Sequence, residues 1–302
     1  MTRAWIVDTV GAETFARLAD ELPGTALHSL LLEVLARRAA ARTPAEVLTQ
    51  YRRDRFVMPA AIDQRTSVAI DGALLAAAAD FEALELSPVA PLATCSSVAP
   101  TSQHRTLSAT RGTEVVADPT NVLALEIAAR WQAKLGARTL RLATSQRVVR
   151  AQPVPKLPGY ANHFRIFCLA TGGIERPAHA FTVDTVASHV RTLLAALDRL
   201  EALGHAFGAR RVELLATEGR APLAARIAAT LALPSTVQPL TLPYYSGGLR
   251  VLLWCTTPEG REVPLADTGT FDWLATLTSN RRAVYVASGL GAQLVPALFR
   301  AP

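Results

Sequence analysis

Apolar residues follow two different rhythms in this chain, and the change comes near residue 80. Before it they recur at helical spacing. Leu27, Leu31, Val34 and Leu35 share one face of a segment that Thr25 can cap, and a second apolar run extends from about Ser67 to Ala79. Thr43-Pro44-Ala45-Glu46 is a capping box with proline at the first helical position, so another helix starts there. Glu13–Leu22 reads as a short helix stopped by Pro23-Gly24, and Trp5–Val10 alternates enough to read as a short strand. Residues 1–79 are thus expected to form a small, mostly helical N-terminal segment to which no chemistry is assigned, and residues 80–302 a separate core.

After residue 80 a period of two takes over. Phe81–Leu92 mixes alternation with prolines, as a strand running into an edge does. Residues 105–117 are two strand-like runs around Gly112, a hairpin. Asp118 caps a helix that opens at Pro119 and is expected to stop before Gly136, with Leu123, Ile127, Trp131 and Leu135 as its apolar stripe and Glu126 facing Arg130. Residues 138–152 and 163–171 read as strands around a proline-rich loop. A long helix is expected from Asp184 to Leu203, with Val186, Val190, Leu193, Leu197 and Leu200 inward and Gly204 as its stop. Then come a strand at Arg211–Ala216, a helix at Pro222–Leu231, strands near Leu249–Cys255, Glu262–Ala266 and Ala283–Ala287, and a terminal helix after Gly291. Hairpin-linked strands with interspersed helices predict an α+β fold: an antiparallel sheet flanked by helices.

Composition narrows the function classes. Half the residues are hydrophobic but only 6% are aromatic, so the core must be built from Ala, Leu and Val. The net charge of +6 raises nucleic acid as a partner. Lysine occurs only at Lys134 and Lys156, and the arginines are scattered among Asp and Glu. The tightest basic groups (Arg37-Arg38, Arg52-Arg53-Arg55, Arg281-Arg282) have no interleaved aromatics, so solvated faces explain them and nucleic acid is not expected. Cys95, Cys168 and Cys255 lie far apart with no Cys/His ligand spacing, which predicts neither a metal site nor a disulfide framework. The six histidines show no metal spacing either. Residues 86–103 are uncharged yet carry three prolines, which excludes a membrane span. The N-terminus has no apolar stretch leading to a cleavage site. A cytoplasmic location with reduced thiols is expected.

Five segments carry the candidate chemistry through their order: VVADPTN (115–121), RVVRAQ (147–152), PYYSGG (243–248), DTGTFDWL (267–274) and SGLGAQL (288–294). Together they resemble the catalytic core of a class II aminoacyl-tRNA synthetase of the histidyl type, over about three-quarters of the chain from Phe81 onward. The resemblance implies that Asp118 and Thr120 hold an amino group. It implies that Arg150 grips a carboxylate or phosphate, with Gln152 where the family has Glu. It makes Tyr244, Tyr245 and Gly247 the wall of a side-chain pocket, with Gly269 and Asp272 in a loop similar to the family's Gly-Gly-Arg-Tyr-Asp. ATP is the cofactor it suggests, and a homodimer formed through motif 1 is the assembly.

Departures from the pattern weigh as much. The arginine expected after the last glycines is replaced by Ala292, Gln293 and Leu294, the loop arginine by Thr270, and the glutamine ending the second motif 2 strand by Ile166. An adenylating site must hold triphosphate charge with fixed guanidinium groups, and losing one such contact costs roughly 100- to 1000-fold in rate. The resemblance also implies that the anticodon-binding domain is absent. The expected function is a non-aminoacylating paralog, similar to the regulatory subunit of ATP phosphoribosyltransferase, that binds an amino-acid-like or nucleotide ligand and acts on a partner enzyme. The alternative is an ATP-dependent ligase that forms an adenylate on a different acid, using Arg150 and another arginine such as Arg165. A structural or RNA-associated protein is a third reading.

Ordinary roles remain open for each residue. Asp118 is a sufficient helix cap. Arg147 and Arg150, three apart on a strand, point to opposite faces, and only the family match turns Arg150 inward. Tyr244 and Tyr245 could simply pack, Gly247-Gly248 and 289–291 could be turns, and Asp267 and Asp272 could be solvated loop carboxylates. His189 reads as structural.

Overall fold

A computed structural model describes residues 3–135, 137–155, 160–231 and 233–301. Its centre is an eight-stranded sheet in the order β1-β5-β6-β11-β10-β9-β7-β8. The strands are β1 (Glu82–Ala83), β5 (Leu140–Val149), β6 (His163–Ile174), β11 (Ala283–Leu290), β10 (Glu262–Phe271), β9 (Leu249–Thr256), β7 (Arg210–Ala216) and β8 (Ser235–Pro239). The six inner strands pair antiparallel, as expected, while β1 on β5 and β8 on β7 are parallel edges. β8 has no counterpart in the sequence reading, because all of its residues are exposed and no apolar alternation marks it. A small second sheet, β2-β4-β3, joins Val89–Pro91, Thr113–Val115 and Ser108–Ala109.

Alternation along the inner strands sends apolar residues to both faces, and each face has its own core. On one side lie α5 (Gln64–Ala77), α7 (Ala180–Glu201) and α8 (Ala221–Thr230), where Ile70, Leu74, Val190, Leu193, Leu197 and Ile227 pack on Leu214, Val251 and Val286. On the other lie α6 (Pro119–Gln132) and α9 (Trp273–Thr278), where Leu123, Ile127 and Trp273 pack on Leu142, Ala170 and Tyr285. All five inward positions expected in the long helix are buried, and Gly204 beyond its end takes φ +85°.

Among the described residues four α-helices precede α5, namely α1 (Arg3–Val10), α2 (Ala12–Ala16), α3 (Gly24–Ala40) and α4 (Pro44–Tyr51), with a π-helical turn at Arg17–Glu21 after α2. The strand expected at Trp5–Val10 is helix instead. The Thr9 hydroxyl donates to Trp5 O at 2.7 Å and Gly11 N to Val7 O at 2.8 Å, and among the described residues no strand pairs with this segment. The Thr43/Glu46 capping box forms in both directions. Helix α6 ends at Gln132, so Leu135 drops out of its apolar stripe and is 61% exposed. The expected stop at Gly136 and the loop segment 156–159 lie outside the described residues. Asp267 sits in β10 rather than in a loop, because that strand keeps its pairing with β11 as far as Phe271↔Tyr285. No described helix is long and apolar enough to cross a membrane.

Candidate functional site

A cleft of about 430 Å³ opens on the α6 face of the sheet, floored by Ala287, Ser288 and Gly289 of β11 and by Gly269 of β10. Asp118 stands at its centre. As the α6 cap, its Oδ1 accepts from Thr120 N at 3.0 Å and from the Thr120 hydroxyl at 2.7 Å, which leaves Oδ2 facing the cleft. The Tyr244 hydroxyl donates to Oδ2 at 2.9 Å, and Arg150 Nη2 lies 3.8 Å away. Burial, and then the Asp118 charge, push the Tyr244 phenol well above its ordinary pKa, so it stays a donor. The Tyr285 hydroxyl fixes the first turn of α6 from below by donating to Thr120 O at 2.5 Å.

Arg150 follows the end of β5. Its Nε donates to Ala117 O at 2.9 Å, which aims the guanidinium across the cleft beside Asp118. Asn162 holds the chain there by donating to the carbonyls of Arg150 at 3.0 Å and Gln152 at 3.1 Å. Gln152 itself does not line the cleft; its Oε1 accepts from Arg105 Nε at 2.9 Å, and Arg105 is on the rim. Arg147 lies across the sheet, as three-residue spacing on a strand requires. Arg165 shares that far face, paired with Asp71 at 2.8 Å, so it cannot supply the second cleft arginine.

Sequence reasoning missed three groups here. Arg250 of β9 donates to Asp267 Oδ2 through Nε (3.0 Å) and Nη2 (2.7 Å), and the Tyr245 hydroxyl reaches the same oxygen at 2.5 Å. Burial, then the Asp267 charge, raise the Tyr245 phenol pKa. The Arg105 rim is held by Glu114, only 2% exposed, which accepts from Ala93 N, Cys95 N and Gln103 Nε2 at 2.7–2.9 Å and so folds the 93–105 loop over the cleft. An acid inside a strand-like run is the signal that could have revealed Glu114. Nothing in the local pattern marks Arg250 or Arg105.

Of the nine residues singled out by sequence, Asp118, Thr120, Arg150, Tyr244, Tyr245 and Gly269 line one cleft. Gly247 and Asp272 do not. Gly247 packs on β10, where a Cβ would meet Thr270 Oγ1 at 2.5 Å, and exposed Asp272 precedes α9 without capping it and accepts from the Ser246 hydroxyl. Gly269 is a true close approach, since a Cβ there would lie 2.6 Å from both Phe271 and Tyr245. No cluster of metal-ligating side chains occurs among the described residues.

The sheet flanked by helices is a class II aminoacyl-tRNA synthetase-like fold, as comparison with solved structures shows. The chain is similar to an ATP phosphoribosyltransferase regulatory subunit/histidyl-tRNA synthetase from Bacillus halodurans (TM-score 0.55, 15% identity, 79% of this chain and 80% of that one). It is similar to a histidine–tRNA ligase subunit from Alicyclobacillus acidocaldarius (0.57, 14%, 80% and 96%). It also resembles the RNA binding domain of threonyl-tRNA synthetase from Cryptosporidium parvum (0.57, 8%, 76% and 64%). At these identities the likeness is one of fold. No protein-family model and no curated protein sequence matches the chain.

Proposed function

We propose that this chain is a non-aminoacylating paralog of the histidyl-tRNA synthetase core that binds an amino-acid-like ligand in its cleft and regulates a partner enzyme. The observation that carries the reading is the side-by-side pair of Asp118 and Arg150, 3.8 Å apart and each about three-quarters buried. A carboxylate already served by Thr120 and Tyr244 receives an ammonium group, and the adjacent guanidinium receives the carboxylate of the same ligand. The positions where an adenylating core places its arginine support loss of that step. Ala292 is 2% exposed in the core, Leu294 packs against that core, and Gln293 turns to the opposite face of the sheet toward Arg147. The regulatory role, a homodimer, a cytoplasmic setting and a helical N-terminal segment at residues 1–79, whose last helix α5 packs into the main core, belong to the same proposal.

One observation favours a second reading, an ATP-dependent ligase acting on a different acid. Arg105 and Arg250 join Arg150 around the cleft, so guanidinium groups are present at positions other than the family's. Pyrophosphate exchange across the amino acids, run beside thermal shift with histidine, other amino acids, ATP and phosphoribosyl pyrophosphate, separates the two. The regulatory reading expects a shift with an amino acid and no exchange. Exchange with one acid establishes the ligase, and no shift with any compound removes both.

A further inference from the structure

Across the sheet from the cleft, Arg147 and Arg165 stand directly opposite each other in the β5–β6 ladder. Like charges so placed push antiparallel strands apart. Arg165 has Asp71 at 2.8 Å, yet its Nε is buried with no acceptor among the described residues. Arg147 has no carboxylate within 4.0 Å among the described residues, and its polar contacts are neutral: His163 Nδ1 at 3.0 Å and Gln293 Oε1 at 3.3 Å. Because a guanidinium only donates, Nδ1 must be the accepting nitrogen of a neutral imidazole, whose Nε2–H then donates to Met58 O at 2.6 Å. Burial, then the Arg165 charge, lower the Arg147 pKa against a smaller opposing pull from Asp71, the carboxylate that already pairs with Arg165.

This cluster, two guanidinium groups against one carboxylate, borders an open groove of about 550 Å³. Phe56, Val57, Met58 and Pro59 make one wall apolar. We propose that the groove is a second ligand site, separate from the cleft, for a small organic anion whose carboxylate or phosphate group sits on Arg147 and whose short apolar body lies along the 56–59 segment. The site is linked to the cleft floor. Gln293 accepts from Arg147 through its side chain and donates its own backbone N–H to Arg165 O at 3.3 Å, five residues beyond Ser288.

Met58 is one of only two methionines, so its methyl group is a local reporter in a protein labelled at methionine methyls. Inorganic phosphate and isovalerate are titrated separately against sodium chloride at matched ionic strength. The expected result is a saturable shift of the Met58 methyl with at least one probe, weakened at least about tenfold in R147Q and unchanged in R150Q, which alters only the cleft. A response to phosphate alone assigns the head group as phosphate, and a response to isovalerate alone assigns a carboxylate. No Met58 shift in the wild-type protein overturns the site even if R147Q fails to fold. An equal shift in folded R147Q, or one lost in R150Q, overturns it as well. None of these outcomes touches the Asp118–Arg150 reading, which rests on amino-acid binding.

Discussion

Acid should weaken this protein through one buried imidazole. His189 of α7 is fully inaccessible, with Nε2 2.8 Å from the Thr171 hydroxyl, Nδ1 2.8 Å from the Ser288 hydroxyl and its ring edge-on to Phe81 at 5.4 Å. No carboxylate reaches it among the described residues, and burial, with a smaller push from Arg141, lowers its pKa from 6.5 to about 3. The unfolded chain therefore takes up this proton first as pH falls. The stability it confers is complete above about pH 6.5 and is lost on descending toward pH 3. Below 6.5 the loss runs at about 1.4 kcal/mol per pH unit, so moving from pH 7.5 to 5.0 removes about 2 kcal/mol. That figure needs only a folded pKa below 5. Urea unfolding of the wild-type protein and H189N, whose side chain hydrogen-bonds without titrating, isolates the effect at these two pH values. The wild type should lose about 2 kcal/mol more than the variant between them. Parallel losses in the two proteins, or an imidazole resonance for His189 that titrates near pH 6.5, would refute the reasoning.

Three further outcomes follow from packing and hydrogen bonding. Leu74→Ala, at a fully buried contact of α5 in the main core, should lower unfolding free energy by about 2–5 kcal/mol in a urea titration. Gly247→Ala places a Cβ 2.5 Å from Thr270 Oγ1 and 2.6 Å from the Thr270 carbonyl carbon, so calorimetry should find a loss on the order of 1–3 kcal/mol from overpacking against backbone that cannot yield. Tyr244→Phe removes the donor to Asp118 Oδ2, which should cost about 1–2 kcal/mol of stability and show as a lower melting temperature without change in secondary structure.

The inner sheet was legible as short apolar runs, continuous where both faces carry a core, as over residues 167–173 of β6, and alternating in β7. The edges were less so. β1 falls within the Phe81–Leu92 run read as an edge strand but is only two residues long, and β8 is exposed throughout and leaves no periodic trace. Helix α1 was misread because Trp5, Ile6 and Val7 favour strands locally, while no strand among the described residues pairs with them. At the site, the Asp118-Pro119-Thr120 cap was readable because helix capping and ligand binding ask for the same residues. Arg250, and its pairing with the Asp267 carboxylate that had been read as a loop residue, were invisible because the two meet across the β9–β10 ladder, a contact fixed by register rather than by neighbouring residues. The same reasoning explains Arg165, chosen as a cleft arginine although its neighbour Ile166 takes the cleft side.

The central claim is that Asp118 and Arg150 together recognise the two charged groups of an amino acid. Isothermal titration calorimetry tests it by comparing the best-binding amino acid with its decarboxylated amine and its deaminated acid, on the wild-type protein, D118N and R150Q. The account predicts that the intact amino acid binds at least about tenfold more tightly than either truncated compound. It also predicts that R150Q abolishes the preference over the amine and D118N the preference over the acid. Equal binding of all three ligands, or undiminished discrimination in both variants, would contradict it.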